Sequence, residues 1–326
     1  MPRLARRALL ALVAFGLAAG PALAQTFPSR PLTVIVPFAA GGPTDTVTRL
    51  VAEAMGRDLG QTVVVENAGG AGGTIGAQRV ANAKPDGYTL LLHHIGMATT
   101  PTLYRRLPYD PINGFETIGL VTEVPMTLVA RKDFPANTLA EAVAIIKRDG
   151  DKLNYGNAGI GAASHLCGLL LMKSVDTAMT TVPFRGTGPA MQELISGRID
   201  LLCDQTTSTT EQINSGAIKV FAATTPARLA ALPNVPTSAE AGLPAFQVTV
   251  WHGLYAPKGT PPEITARLSR ALQAALADPK LGARFAELGT APVPAEQATS
   301  AAHRAFWLAD IAKWKPIIQG AGQFAD

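Results

Sequence analysis

The chain has little charge, few aromatic residues and almost no cysteine. Asp, Glu, Lys and Arg make up 16% of its 326 residues and aromatics 6%, with two cysteines and five histidines. No basic stripe interleaved with aromatics occurs, so a nucleic-acid partner is not expected. Cys167 and Cys203 have no metal-ligand spacing, and two cysteines are not a disulfide framework. Both lie in apolar runs, where one bridge and two buried thiols fit equally. No G-x-S-x-G elbow and no H-E-x-x-H occurs, and the adjacency of Ser164 and His165 is not a triad. No catalytic residue, metal ligand or cofactor is therefore assigned, and an enzyme is not expected. Beyond residue 24 no apolar stretch reaches the length that spans a bilayer.

The N-terminus carries what the rest lacks. Arg3, Arg6 and Arg7 precede an apolar run over 8–19, then Gly20-Pro21 and Ala22-Leu23-Ala24. This is the order of a secretory signal peptide, with cleavage expected after Ala24 and export to the periplasm. Three of the basic residues behind the formal charge of +4 leave with it. The mature chain is then close to neutral and is not expected to be membrane-inserted. Its roughly 300 residues suit two lobes better than one core.

Along the mature chain, short β-branched runs alternate with glycine-rich turns and amphipathic helices. Strands are expected at 32–37, 62–66 and 88–93, with helices at 46–59 and from about 74 to 83. A second cycle starts near Pro125, with strands at 126–131, 180–184, 199–203 and 220–224. Helices are expected at 138–148, 164–174 and 189–196. A return strand at 246–256 precedes helices at 262–277, 279–288 and 298–318. Such alternation predicts an α/β protein of two doubly wound lobes joined by a two-strand hinge, with a ligand cleft between them. Lobe 1 is expected to hold 25–124 and 246–326, and lobe 2 to hold 125–245.

Two glycine-rich turns stand where such a cleft would lie. The first is Phe38-Ala39-Ala40-Gly41-Gly42-Pro43-Thr44-Asp45. Gly42 suits an N-cap, Pro43 the first helical position, and Asp45 the capping of backbone N–H groups. Glycines admit close approach, and a helix start favours an anion. The second turn, with Gly159, Gly161, Ala162, Ala163 and Ser164, repeats the device, with Ser164 as a possible cap. Two helix starts from opposite lobes would grip both ends of a dicarboxylate. A third glycine run, 69–76, is not a nucleotide loop: Ile75 stands where G-x-G-x-x-G needs glycine, and no Gly-Lys-Ser/Thr follows. It reads as a structural turn, or as backbone contacting ligand. His93, His94, Phe184, Arg185 and Asp204 sit at strand ends. One histidine could meet ligand and the other could be core. Asp204 could meet an ammonium group, or be a solvated turn carboxylate.

Together the stretches IVPFAAGGPTD (35–45), VENAGGAGGTIG (65–76), PDGYTLL (85–91), GIGAASHL (159–166), VPFRGT (182–187), GRID (197–200) and WHGLYAPKGTP (251–261) resemble the Bug family. These are extracytoplasmic receptors of tripartite tricarboxylate transporters, and the motifs run in family order over nearly the whole mature chain. The resemblance implies a type II periplasmic-binding-protein fold that closes on a small carboxylate, held mainly by backbone groups, small polar side chains and waters. By resemblance the contacts fall on 38–45 and 159–164. Ala162 departs from the pattern, since many members carry Ser or Thr there. HHIGM (93–97) and CDQTT (203–207) resemble an aspartate-binding subgroup. The implied ligands are aspartate or glutamate, other dicarboxylates, citrate-like acids and aromatic ones such as terephthalate. The implied partner is a membrane permease, and the receptor is expected to be a monomer. A ligand sensor that signals to a membrane sensor kinase would share the fold and pocket.

Overall fold

The computed structural model describes residues 27–321 and 325. The expected leader, residues 1–24, and its cleavage point lie outside the described residues. No helix among the described residues is long and apolar enough to cross a membrane.

The chain opens with β1 (Leu32–Val36), α1 (Pro43–Leu59), β2 (Val63–Asn67), α2 (Thr74–Ala81), β3 (Thr89–His94) and α3 (Gly96–Leu103). A long strand, β4 (Phe115–Arg131), leads to α4 (Leu139–Asp149), β5 (Asn154–Asn157), α5 (Ala163–Val175) and β6 (Thr180–Pro183). Then come α6 (Thr187–Ile195), β7 (Leu201–Gln205), α7 (Thr206–Asn214) and β8 (Ile218–Ala223). The chain ends with β9 (Thr249–Pro257), α8 (Pro262–Leu276), α9 (Pro279–Glu287) and α10 (Ser300–Ala321). The strands join in the order β2-β1-β3-β9-β4-β7-β5-β6, with β8 also on β4.

The sheet has two halves because β4 changes partners. Its first part, Phe115 to Pro125, pairs antiparallel with β9. Its second part, Met126 to Arg131, pairs with β7 and β8. Pro125, which has no N–H to donate, stands at the exchange. Beside it Thr224 ties the chain's second crossing. Its N–H donates to the Met126 carbonyl at 2.9 Å and its carbonyl accepts from Val248 N–H at 3.1 Å. Its hydroxyl reaches the Val248 carbonyl at 2.6 Å.

In the first half β1, β2 and β3 are parallel. Leu32, Val34, Leu90 and Leu92 face one side and pack under Val47, Val51 and Met55 of α1 and Leu268 and Leu272 of α8. Ile35 and Leu91 face the other side, with Tyr255 and Trp307. This is the period-two alternation of a sheet covered on both faces. In the second half β5 lies parallel to β6 and β7, and β7 is buried throughout. The α/β architecture is the expected one. Four elements were not among the expected ones: the first part of β4, α3, β5 and α7.

Cys167 of α5 and Cys203 of β7 are joined by a disulfide across 6.1 Å between Cα atoms, which settles the question left open by the sequence. Both residues are fully buried. The bridge closes a loop of 36 residues, which in the chain-entropy account restricts the unfolded state by about 3–4 kcal/mol. Replacing both cysteines by alanine is expected to lower unfolding free energy by about that amount in urea titration. Native protein should resist thiol reductants until it is unfolded.

Candidate functional site

Strand ends in both halves of the sheet run directly into helices, and four of those helix starts meet. The start of α1 has Gly42 as N-cap and Pro43 as first residue, as expected. The start of α5 has Ala162 as N-cap and no side-chain cap. The starts of α6 and α7 follow Gly186 and Gln205. Between them lies a small cavity of about 10 Å³, room for about one water. The two halves are therefore shut, and any larger occupant requires them to part.

Of the residues singled out in the sequence, Phe38, Gly42, Thr44 and His94 line the cavity from the first half. Ala162, Ala163, Ser164 and Asp204 line it from the second. Phe38 packs with Ala158 and Ala162 across the cleft and stacks on His94 at 4.6 Å. The methyl of Ala162 belongs to that apolar contact. Ser164 is not the cap but the second residue of α5, and its hydroxyl accepts from Ala158 N–H at 2.9 Å.

The two histidines separate in role. His94 Nδ1 accepts from Gly96 N–H at 3.0 Å, which leaves Nε2 as the protonated nitrogen beside the cavity. Burial pushes its pKa down to about 3, so the ring is neutral. His93 Nδ1 accepts from His94 N–H at 2.7 Å, and its Nε2 points toward the backbone of Gly73. It lies outside the cavity lining, and burial likewise holds it neutral.

Several expected contacts fall elsewhere. Asp45 braces the first loop: it accepts from Gly41 N–H at 3.0 Å, from Arg49 at 2.9 Å and from Asn67 at 3.0 Å. Burial pushes its carboxyl up, but these hydrogen bonds outweigh that and hold it below its usual value. Phe184 packs on the second-half core, and the Arg185 side chain is exposed. Ala39, Ala40, Gly41, Gly159 and Gly161 are likewise absent from the cavity lining. Most of this group serves a different purpose, the seam between the halves. Ala39 N–H donates to the Arg185 carbonyl at 3.0 Å. Thr99 and Tyr104 hydroxyls bond the carbonyls of Gly161 and Ile160 at 3.1 and 3.0 Å.

The third glycine run belongs to this seam too, neither a nucleotide loop nor part of the cavity lining. A Cβ on Gly69 would stand 2.6 Å from the Arg185 carbonyl oxygen, and one on Gly188 2.7 Å from that of Ala40. A Cβ on Gly72 would overlap the Ile160 carbonyl oxygen outright. The halves meet backbone to backbone because these side chains are missing.

Asp204 is 1% exposed, and no Lys or Arg lines the cavity with it. Burial raises its pKa to about 7, against hydrogen bonds from Gln205 N–H and the Thr187 hydroxyl that lower it. Its Oδ2 has no partner. Thr187 and Gln205 also line the cavity and were missed. Each stands at a strand-to-helix junction like Gly42, and that shared position was the available signal.

Two half-sheets sharing a crossed strand, with helix starts converging between them, define a solute-binding protein of the periplasmic-binding-protein type. Residues 47–323 match the family model described as the tripartite tricarboxylate transporter family receptor, and the chain belongs to that family. It is 52% identical over 299 residues to a UPF0065 protein of Agrobacterium vitis, covering 92% of this chain and 86% of that one. The structure of periplasmic binding protein BugD superposes with a TM-score of 0.90 at 48% identity, over 92% of this chain and all of the other. MatC from Rhodopseudomonas palustris, with bound malate, gives 0.86 at 41% identity, over 90% of this chain and all of the other. The matched family is one of transporter receptors, and BugD is described as a periplasmic binding protein.

The seam makes a specific prediction. Gly72→Ala adds a Cβ at a left-handed φ of 61° and pushes on the opposite half; Gly60→Ala adds one at φ 65° with open space around it. Both should lose about 1 kcal/mol of stability through the backbone. Only Gly72→Ala should speed ligand dissociation in stopped-flow, by tenfold or more. Equal dissociation rates in the two variants would remove the seam from closure.

Proposed function

We propose that the chain is a periplasmic receptor, exported by cleavage after Ala24, that closes on an amino dicarboxylate such as aspartate or glutamate and delivers it to a membrane permease. In this reading 25–124 with 246–326 forms one jaw and 125–245 the other, and β4 and the Thr224 crossing form the hinge. The observation that carries it is the character of the cavity: four helix starts, no cationic side chain, and one buried carboxylate with a free oxygen.

Helix starts stabilise the carboxylates of the ligand, with the Gly42–Thr44 and Ala162–Ser164 segments holding opposite ends. His94 and the Ser164 hydroxyl add neutral donors. A plain dicarboxylate would bring two negative charges toward Asp204 with nothing to offset the third. An α-ammonium supplies that offset, so amino dicarboxylates are favoured over aliphatic or aromatic ones. That a relative carries malate supports the two-carboxylate part of the reading.

Binding an ammonium requires Asp204 ionised. Its pKa of about 7 in the ligand-free protein therefore predicts that affinity for aspartate rises with pH, up to tenfold per unit below about 7, and levels off above it. The free protein is expected to show the opposite trend in stability. A carboxyl whose folded pKa is raised is destabilising once ionised, so this contribution declines as pH rises from about 4 to about 7. His94 and His252 stay neutral over this range through burial. Isothermal titration at pH 5 to 8 checks the profile. Asp204→Asn is expected to bind aspartate about 2 kcal/mol more weakly, roughly thirtyfold, and without the pH dependence. Unchanged aspartate affinity in that variant would overturn the reading.

A further inference from the structure

We propose that Gln205 is a specificity-determining residue of this site: its buried carbonyl oxygen and the free oxygen of Asp204 form a two-acceptor cradle that selects an amino group over a hydroxyl on the ligand. The inference rests on the reading of the cavity given above and refines it.

Gln205 is 2% exposed and lines the cavity beside Asp204. It occupies the N-cap of α7 with extended backbone angles, φ −72° and ψ 146°, yet its side chain makes no capping bond to the helix. Glutamine is not among the favoured N-cap residues, and here its amide serves neither the helix nor the sheet. Its Oε1 is buried without a partner, as is Asp204 Oδ2. The remaining capacity of Asp204 is taken up by Gln205 N–H and the Thr187 hydroxyl. Two adjacent residues that line one small cavity thus each hold a buried acceptor without a partner.

Counting hydrogens decides what fits. An ammonium carries three and can satisfy both oxygens while keeping one for another acceptor. A hydroxyl carries one, so a 2-hydroxy dicarboxylate would leave an acceptor buried and unpaired, at the desolvation cost of that group. A site with one acceptor would separate the two ligands by charge alone. The second acceptor makes the discrimination geometric, persisting where Asp204 is fully ionised.

The test compares aspartate with malate by isothermal titration at pH 8, in wild type, Gln205→Leu and Gln205→Glu. Wild type is expected to prefer aspartate. Gln205→Leu should cut that preference about tenfold, by weakening aspartate and sparing malate. Gln205→Glu keeps the acceptor, adds charge and preserves the side-chain shape, so the preference should hold or grow. If the leucine variant does not fold, the glutamate variant decides, and a fall in preference there overturns the proposal. So does a leucine variant that weakens both ligands equally, the mark of a purely structural residue. If Asp204→Asn loses aspartate but Gln205→Leu keeps the wild-type ratio, this inference fails while the amino-dicarboxylate reading stands. If wild type binds neither ligand, that reading fails and takes this one with it.

Discussion

A cavity that holds no cation must stabilise an anion with the backbone, and this constraint shapes the rest of the molecule. Helix starts offer unpaired N–H groups and the positive end of the helix dipole, but only within about a turn. Several must therefore converge, and α1, α5, α6 and α7 do so, following β1, β5, β6 and β7 of the two half-sheets. The short strand-to-helix turns at Gly42, Ala162, Gly186 and Gln205 follow from that requirement.

The same constraint explains where side-chain chemistry is kept out. Asp45 and Arg49 lie close to the cavity yet neutralise each other while bracing the first loop. Arg185 contributes its carbonyl to the seam and leaves its guanidinium outside. His94 is buried neutral, so it donates without adding charge. Asp204 is the exception, and its raised pKa measures how little the surroundings do to compensate it. The disulfide lies next to this exception: Cys203 precedes Asp204, and Cys167 follows Ser164 by less than one turn. It fixes two sides of the cavity to each other through a covalent link.

Much of the fold was legible because strong local patterns agreed with it. The β-branched runs gave β1, β2 and β3, and the apolar stripe of α1 carried its own signal. The failures have physical reasons. The first part of β4 contains Glu116, Gly119, Glu123 and Pro125, which read as loop, and only pairing with β9 makes it a strand. Helix α7 is Thr-Thr-Ser-Thr-Thr at its start, a poor helix former. It is held by tertiary bonds instead: Thr206 to the Gly289 carbonyl at 3.2 Å and Thr209 to Thr127 at 2.7 Å. Within the site, the first-loop and second-loop positions were readable from glycine and capping patterns. Those patterns could not show which glycines face the cavity and which face the opposite half. Chain order holds no information about the seam, because its partners are far apart in sequence.

The strand exchange at Pro125 also sets an order of assembly. The parts of the second half, α4 through β8, follow one another along the chain and can complete their pairing among themselves and with β4. The first half cannot. Leu91 of β3 waits for Tyr255 of β9, and Thr117 of β4 waits for the same residue. Until β9 has arrived, two apolar strands carry open edges, and contacts this distant in sequence form late. In a chain that emerges N-terminus first, the half that begins the sequence is thus the half that finishes folding last, and β9 is the element that closes it.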